Sequence, residues 1–154
     1  MRVFCGFLLL SLIAAGAGAG MTATALHGWF WTLRPPGFLP PVWVFPLVST
    51  AVFLLAGVAG WDLWRVPDVA GREQRALTCW GWMMGTAALL PAMFFGLHCL
   101  WGAMVLGGFA LAAAAGSWFR FLRLNRRAAL MLLPFIGWTG FTSWVVAGFW
   151  WCNH

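Results

Sequence analysis

The chain has 154 residues, 63% of them hydrophobic and 8% charged. A soluble domain carries about 25% charged residues, so this one cannot cover a water-facing surface, and lipid must be its solvent. The net charge of +6 comes entirely from arginine; at membrane edges arginine sets orientation, so no nucleic-acid partner is expected.

Uncharged stretches of about 20 residues can span a bilayer. The first runs from Val3 to Leu26. Its opening imitates a signal peptide, with Arg2, the apolar Val3 to Ile13 and the small residues Ala14 to Gly20. The apolar run continues to Leu26, which is span length, so the segment is expected to be retained. Gly16 and Gly20 offer a small-xxx-small face for close helix packing.

Between Trp29 and Val48 lie five of the eight prolines, three tryptophans and the lone Arg34. Pro35-Pro36 and Pro40-Pro41 cannot belong to a helix interior, and an ordinary solvent loop is not this aromatic. The expectation is a rigid aromatic lid at a membrane surface, folded over something apolar.

The second span runs from Val42 to Trp61. From Ala76 to Phe119 there is no charged residue at all, twice the length of a span, with Gly96-Leu97-His98 at its middle as a tight turn between two helices. The last span runs from Ala128 to Cys152. These stretches predict an all-α integral membrane protein. A single domain over 1–154 forms a five-transmembrane-helix bundle, with helices at about 3–26, 42–65, 75–97, 99–121 and 128–152 and the Pro/Trp-rich first loop folded over its outer end.

Five spans place Arg2, Arg65, Arg72, Arg75, Arg120, Arg123, Arg126 and Arg127 on one side and only Arg34 on the other. The positive-inside rule then puts the N-terminus inside and the C-terminus outside, in a bacterial inner membrane with the lid facing the periplasm. Asp62, Asp68 and Glu73 all accompany the inner arginines, and Asp62 and Arg65, one turn apart, are expected to pair. Cys5, Cys79, Cys99 and Cys152 sit in apolar runs without metal or disulfide spacing and read as small hydrophobes. Gly108, Ala112 and Gly116 recur every fourth residue. Packing inside the bundle is the first reading of this stripe and a homodimer seam the second. Pro46 and Pro91 interrupt their helices near the outer ends, which is tolerable where a cavity or protein lies alongside.

Most tryptophans fall at helix ends, where interfacial belts are expected: Trp61, Trp64, Trp80, Trp82 and Trp118 on the inner side, and Trp29, Trp31, Trp43, Trp101, Trp150 and Trp151 on the outer. Trp144 and Trp138 remain. Trp138 lies about 15 Å into the fifth helix at 1.5 Å per residue, with Thr142 one turn on. An aromatic N–H donor beside a hydroxyl suits a flat, mostly apolar ligand, with core packing as the alternative.

The loop pattern Trp29-Phe30-x-x-Leu33-x-x-Pro36-x-Phe38-x-Pro40-Pro41-x-Trp43-Val44 resembles the first-loop signature of the TspO/translocator protein family of tryptophan-rich sensory proteins. Phe94-Phe95-Gly96, Pro134-Phe135-x-x-Trp138 and Trp150-x-x-Asn153 resemble family fragments on the third and fifth helices. The resemblance implies a five-helix bundle, commonly dimeric, with a pocket beneath the first loop. It implies ligands such as protoporphyrin or haem, sterols in animals, and synthetic isoquinoline and benzodiazepine compounds. Carried over by position, the ligand-binding candidates are Trp29, Phe30, Phe38, Trp43, Phe94, Trp138 and Thr142. The chain departs from the pattern in having no tyrosine, so Phe30 and Phe135 lack the family's hydroxyls. Ala87 and Leu90 stand for a third-helix Asn and Trp, and Ser49 for a second-helix Trp. Val146-Ala147 and Trp151 break the sterol-recognition stretch, so sterol binding by it is not expected. The chain resembles a divergent member.

The resulting expectation is a receptor or sensor in the bilayer that takes a flat hydrophobic molecule, a porphyrin first, under the lid. Porphyrin or haem is a possible ligand and no cofactor is obligatory. Arg34 is an interfacial anchor or, alternatively, meets a propionate. The competing readings are a tetrapyrrole transporter, a light-dependent porphyrin-degrading enzyme working through Trp138 or Trp144, and a structural subunit with a vestigial pocket. His27 and His98, at helix ends, are the candidates to ligate haem iron.

Overall fold

The computed structural model describes residues 2–25, 28–67 and 70–153. Leu26, His27 and Asp68 lie outside the described residues, and with them one candidate iron ligand and one inner carboxylate. Five helices are long and apolar enough to cross a membrane, and no strand occurs among the described residues. They are α1 (Arg2–Ala25), α2 (Val44–Trp64), α3 (Arg72–Pro91), α4 (Leu100–Leu124) and α5 (Arg126–Cys152). A 3₁₀ turn, Trp29–Thr32, opens the lid, and a π-helical turn, Ala92–Gly96, extends α3. Around the bundle the neighbours run α1, α2, α5, α4, α3 and back to α1.

The two turns between α3, α4 and α5 are tight for identifiable reasons. His98 adopts φ +53° between α3 and α4, and Cys99 begins α4 with its sulfur accepting from Gly102 N at 3.4 Å. A single residue, Asn125, joins α4 to α5. Its Oδ1 accepts from the backbone N–H of Arg127 and Ala128, which caps α5. Its Nδ2 donates to Asp62 Oδ2 at 3.1 Å, tying the corner to α2. Asp62 is thus engaged by Asn125, and Arg65 lies over the Trp61 ring, 4.9 Å from its centroid. The expected Asp62–Arg65 pairing gives way because an amide rigidly held by a helix cap is a better-placed partner than a mobile guanidinium.

Small residues set the helix spacings, but not the ones picked out from the sequence. Gly16, Gly20 and Gly108 face open space, Ala112 is exposed, and Gly116 meets only Arg120 of its own helix. The packed face of α4 is Ala103, Gly107, Ala110, Ala114, Ser117 and Phe121 instead, a parallel track one position away. Helices come close at Gly57 and Gly60 of α2. A Cβ there would stand 3.1 Å from Phe7 O of α1, or 2.9 Å from the Trp80 ring of α3. Trp80 is not an interfacial anchor: α3 starts at Arg72, so it lies more than two turns inside, and its indole donates to Ala56 O at 2.9 Å. Pro46 does not interrupt α2 either. It is the third residue of that helix, where its missing N–H has no intrahelical partner to lose.

Candidate binding site under the lid

The lid connects α1 to α2 across the end of the bundle and turns every third residue, from Phe30 to Val42, toward it. Phe30 and Pro36 are buried, Leu33, Leu39 and Val42 are half-buried, and Trp31 and Trp43 point outward, while Phe38 lies along α5. Hydrogen bonds and ring contacts hold it. Asn153, just past α5, accepts from Arg34 N at 2.8 Å through Oδ1 and donates to Arg34 O at 3.0 Å through Nδ2. Phe38 stacks on Trp144 of α5 at 3.9 Å with the rings parallel to 1°. Trp29 packs on His98 at 4.3 Å and on Phe94 at 5.8 Å. Gly148 makes the seat possible, since a Cβ there would lie 2.9 Å from Phe38 and 3.1 Å from Pro36.

Beneath the lid is a cavity of about 120 Å³, walled by α1, α2, α3 with its π turn, and α5. A single water needs about 10–15 Å³ on the same kind of measure, so this is a ligand-sized hollow rather than a packing flaw. Phe30, Leu39 and Val42 form the roof. Phe45, Ser49 and Phe53 descend one face of α2 at four-residue spacing, opposite Trp138, Thr142, Val145 and Phe149 of α5. Small residues of α1, among them Ala15 and Gly18, leave room on the third side. On the fourth, Pro91 ends the regular helix, and the π turn after it brings Phe94 and Phe95 into the wall. Phe94 is 4% exposed and packs edge-on against Phe149 and Phe95.

Of the residues expected to bind ligand, Phe30, Phe94, Trp138 and Thr142 line the cavity. Trp29, Phe38 and Trp43 do not. Trp29 backs Phe94 from outside, Phe38 is part of the lid's fastening to α5, and Trp43 is 65% exposed at the start of α2. In a lid whose inward positions recur every third residue, aromatic character alone does not tell which rings face in. The polar roles also differ from expectation. Trp138 Nε1 donates to Ser49 Oγ at 2.9 Å, and Thr142 donates its hydroxyl to Trp138 O at 3.0 Å. Both donors are therefore engaged within the wall. Ser49, Phe45, Phe53 and Phe149 are wall residues that sequence reasoning did not select. The four-residue spacing from Phe45 through Ser49 to Phe53 was the available clue. His98 sits on the turn before α4 against Trp29, outside the wall.

The sequence matches the model of the TspO/MBR family over residues 7–151. It is 27% identical to the translocator protein of Bos taurus, with 97% of this chain and 89% of that protein aligned. Identity is 29% to the tryptophan-rich sensory protein of Cereibacter sphaeroides, over 85% of this chain and 82% of the relative. It is 25% to protein CrtK of Rhodobacter capsulatus, over 86% and 82%. With five apolar helices and a match over nearly its whole length, this integral membrane protein belongs to the TspO/MBR family.

Proposed function

We propose that the protein is a membrane receptor or sensor that takes a flat hydrophobic ligand, a tetrapyrrole foremost, into the cavity under the lid. The observation that carries this reading is the apolar hollow under the lid, ringed by Phe30, Phe45, Phe53, Phe94, Phe149 and Trp138. Transfer of ligand surface into it is worth about 2.5 kcal/mol per 100 Å² of apolar area before the costs of binding. Ring faces and edges add offset and edge-on contacts that favour a planar partner. The described lining residues include no His, Cys or Met. They suit a porphyrin held through its ring faces, and they offer no side chain to ligate a haem iron. When bound, the tetrapyrrole would supply a light-absorbing chromophore, and the protein's part is to bury it and close the lid over it.

Ala87 lines the cavity, whereas Trp43 stands outside it. Ala87→Phe fills the space and is expected to weaken protoporphyrin binding by about tenfold or more, about 1.4 kcal/mol. Trp43→Ala is expected to change it by less than about twofold, since an exposed ring outside the wall contributes little. Saturable quenching of tryptophan fluorescence in detergent-solubilised protein measures both. Wild-type protein without saturable quenching, or an affinity that Ala87→Phe leaves intact, would remove this reading.

A further inference from the structure

Hydroxyl groups in a membrane helix ordinarily donate to the carbonyl one turn earlier, because no water is present to accept. Ser11, Thr22, Thr50, Ser117 and Thr142 all do so here. Ser49 does not. Its oxygen accepts from Trp138 Nε1 at 2.9 Å, and its own O–H donates to nothing among the described residues. The side chain lines the cavity between the rings of Phe45 and Phe53. Of the other polar side chains in the wall, Thr22, Thr142 and Trp138 have their donors engaged by protein. Thr139 also lines the cavity and its O–H makes no hydrogen bond among the described residues, but it is 4% exposed and accepts from no indole, so it is neither as accessible as Ser49 nor polarised like it. The Trp138 hydrogen bond draws charge from the Ser49 oxygen and makes its O–H a stronger donor. Ser49 thus places a polarised donor in an apolar hollow, and a donor without an acceptor in such a place is costly.

We propose that Ser49 determines specificity in this cavity: its O–H reads a single hydrogen-bond acceptor, a ring carbonyl or an imine-type ring nitrogen, on an otherwise apolar flat ligand. This assignment rests on the cavity being a ligand site, as proposed above. A ligand with such an acceptor satisfies the hydroxyl on entry, while one of the same shape without it leaves the hydroxyl desolvated. The preference belongs to this chain, because it depends on serine at position 49 facing the Trp138 indole.

Fluorene and 9-fluorenone share one planar three-ring frame and differ by one carbonyl, so their affinity ratio isolates the hydroxyl. Titrated into detergent-solubilised protein and followed by tryptophan quenching, the wild type should favour fluorenone by about tenfold after correction for partition into empty micelles. Ser49→Ala should bring that ratio to about one, and Ser49→Thr, which keeps the hydroxyl, should retain it. A ratio that survives in Ser49→Ala overturns the proposal. So does a ratio lost equally in Ser49→Thr, which would assign the effect to packing. If neither compound binds the wild type saturably, the cavity reading itself falls and this inference with it.

Discussion

At the scale of single residues, the structure depends on side chains that satisfy backbone groups lipid cannot. Asn153 is the clearest case. It exchanges two hydrogen bonds with the backbone of Arg34, 119 residues away, and donates a third to Phe149 O at 2.8 Å. Arg34 precedes Pro35-Pro36, which have no N–H to offer, so this exchange is the polar fastening of the lid's middle. Asn153→Ala removes it and leaves the Arg34 N–H and C=O to solvent. Lid amides over residues 29–34 are expected to exchange with deuterium about tenfold faster, consistent with a net loss of about 1–1.5 kcal/mol for hydrogen bonds of this kind. Amides of α2 and α4 should be unchanged. Exchange in the lid that stays at its wild-type rate would show that aromatic stacking alone holds it down.

At the scale of elements, the lid and α5 are shaped for one another. Pro36 and Phe38 rest on the backbone of α5 at Gly148, and Phe38 continues into the parallel stack with Trp144. Gly148→Leu places a branched side chain where even a Cβ is too close, and the hydrogen-bonded backbone of α5 resists moving away. The lid must lift, separating Phe38 from Trp144, and faster deuterium exchange over 29–42 with an unchanged helix content by circular dichroism is the expected result. How much of this could be read beforehand differs by element. The spans were readable because charge is absent from them and arginine marks their ends. The lid was readable from its prolines. Which face of each helix looks inward was not. With lipid as solvent both faces are apolar, so hydrophobic periodicity carries no phase. That is why Gly108, Ala112 and Gly116 were picked for packing although the buried track is Ala103, Gly107, Ala110 and Ala114. On α1 a phase does exist. Ser11, Ala15, Gly18 and Thr22 follow helical spacing, and the first two are buried while the last three line the cavity. In the lid, the resemblance points to Trp29, Phe30, Phe38 and Trp43, whereas the roof is made by Phe30, Leu39 and Val42.

At the scale of the whole molecule, two asparagines close the two ends of α5. Asn125 precedes its first residue and Asn153 follows its last, so a helix of 27 residues separates them, about 40 Å at 1.5 Å per residue. Asn125 fastens the end where the arginines gather, joining α4, α5 and Asp62 of α2, and Asn153 fastens the lid. Between them lies the cavity, whose packing does not run through either amide. About 40 Å of helix separates the two fastenings and they share no hydrogen-bond partner among the described residues, so their contributions should be independent. Asn125→Ala is expected to cost about 1–2 kcal/mol, since it removes a helix cap and the Asp62 partner together. Asn153→Ala should cost about 1 kcal/mol, and the double variant should equal the sum within about 0.5 kcal/mol, as for distant sites with no shared partner. Reversible unfolding of the three variants in mixed micelles measures the cycle. A coupling larger than about 1 kcal/mol would mean that the lid is felt at the arginine end through α5, and that closing it over a ligand shifts the opposite face of the protein.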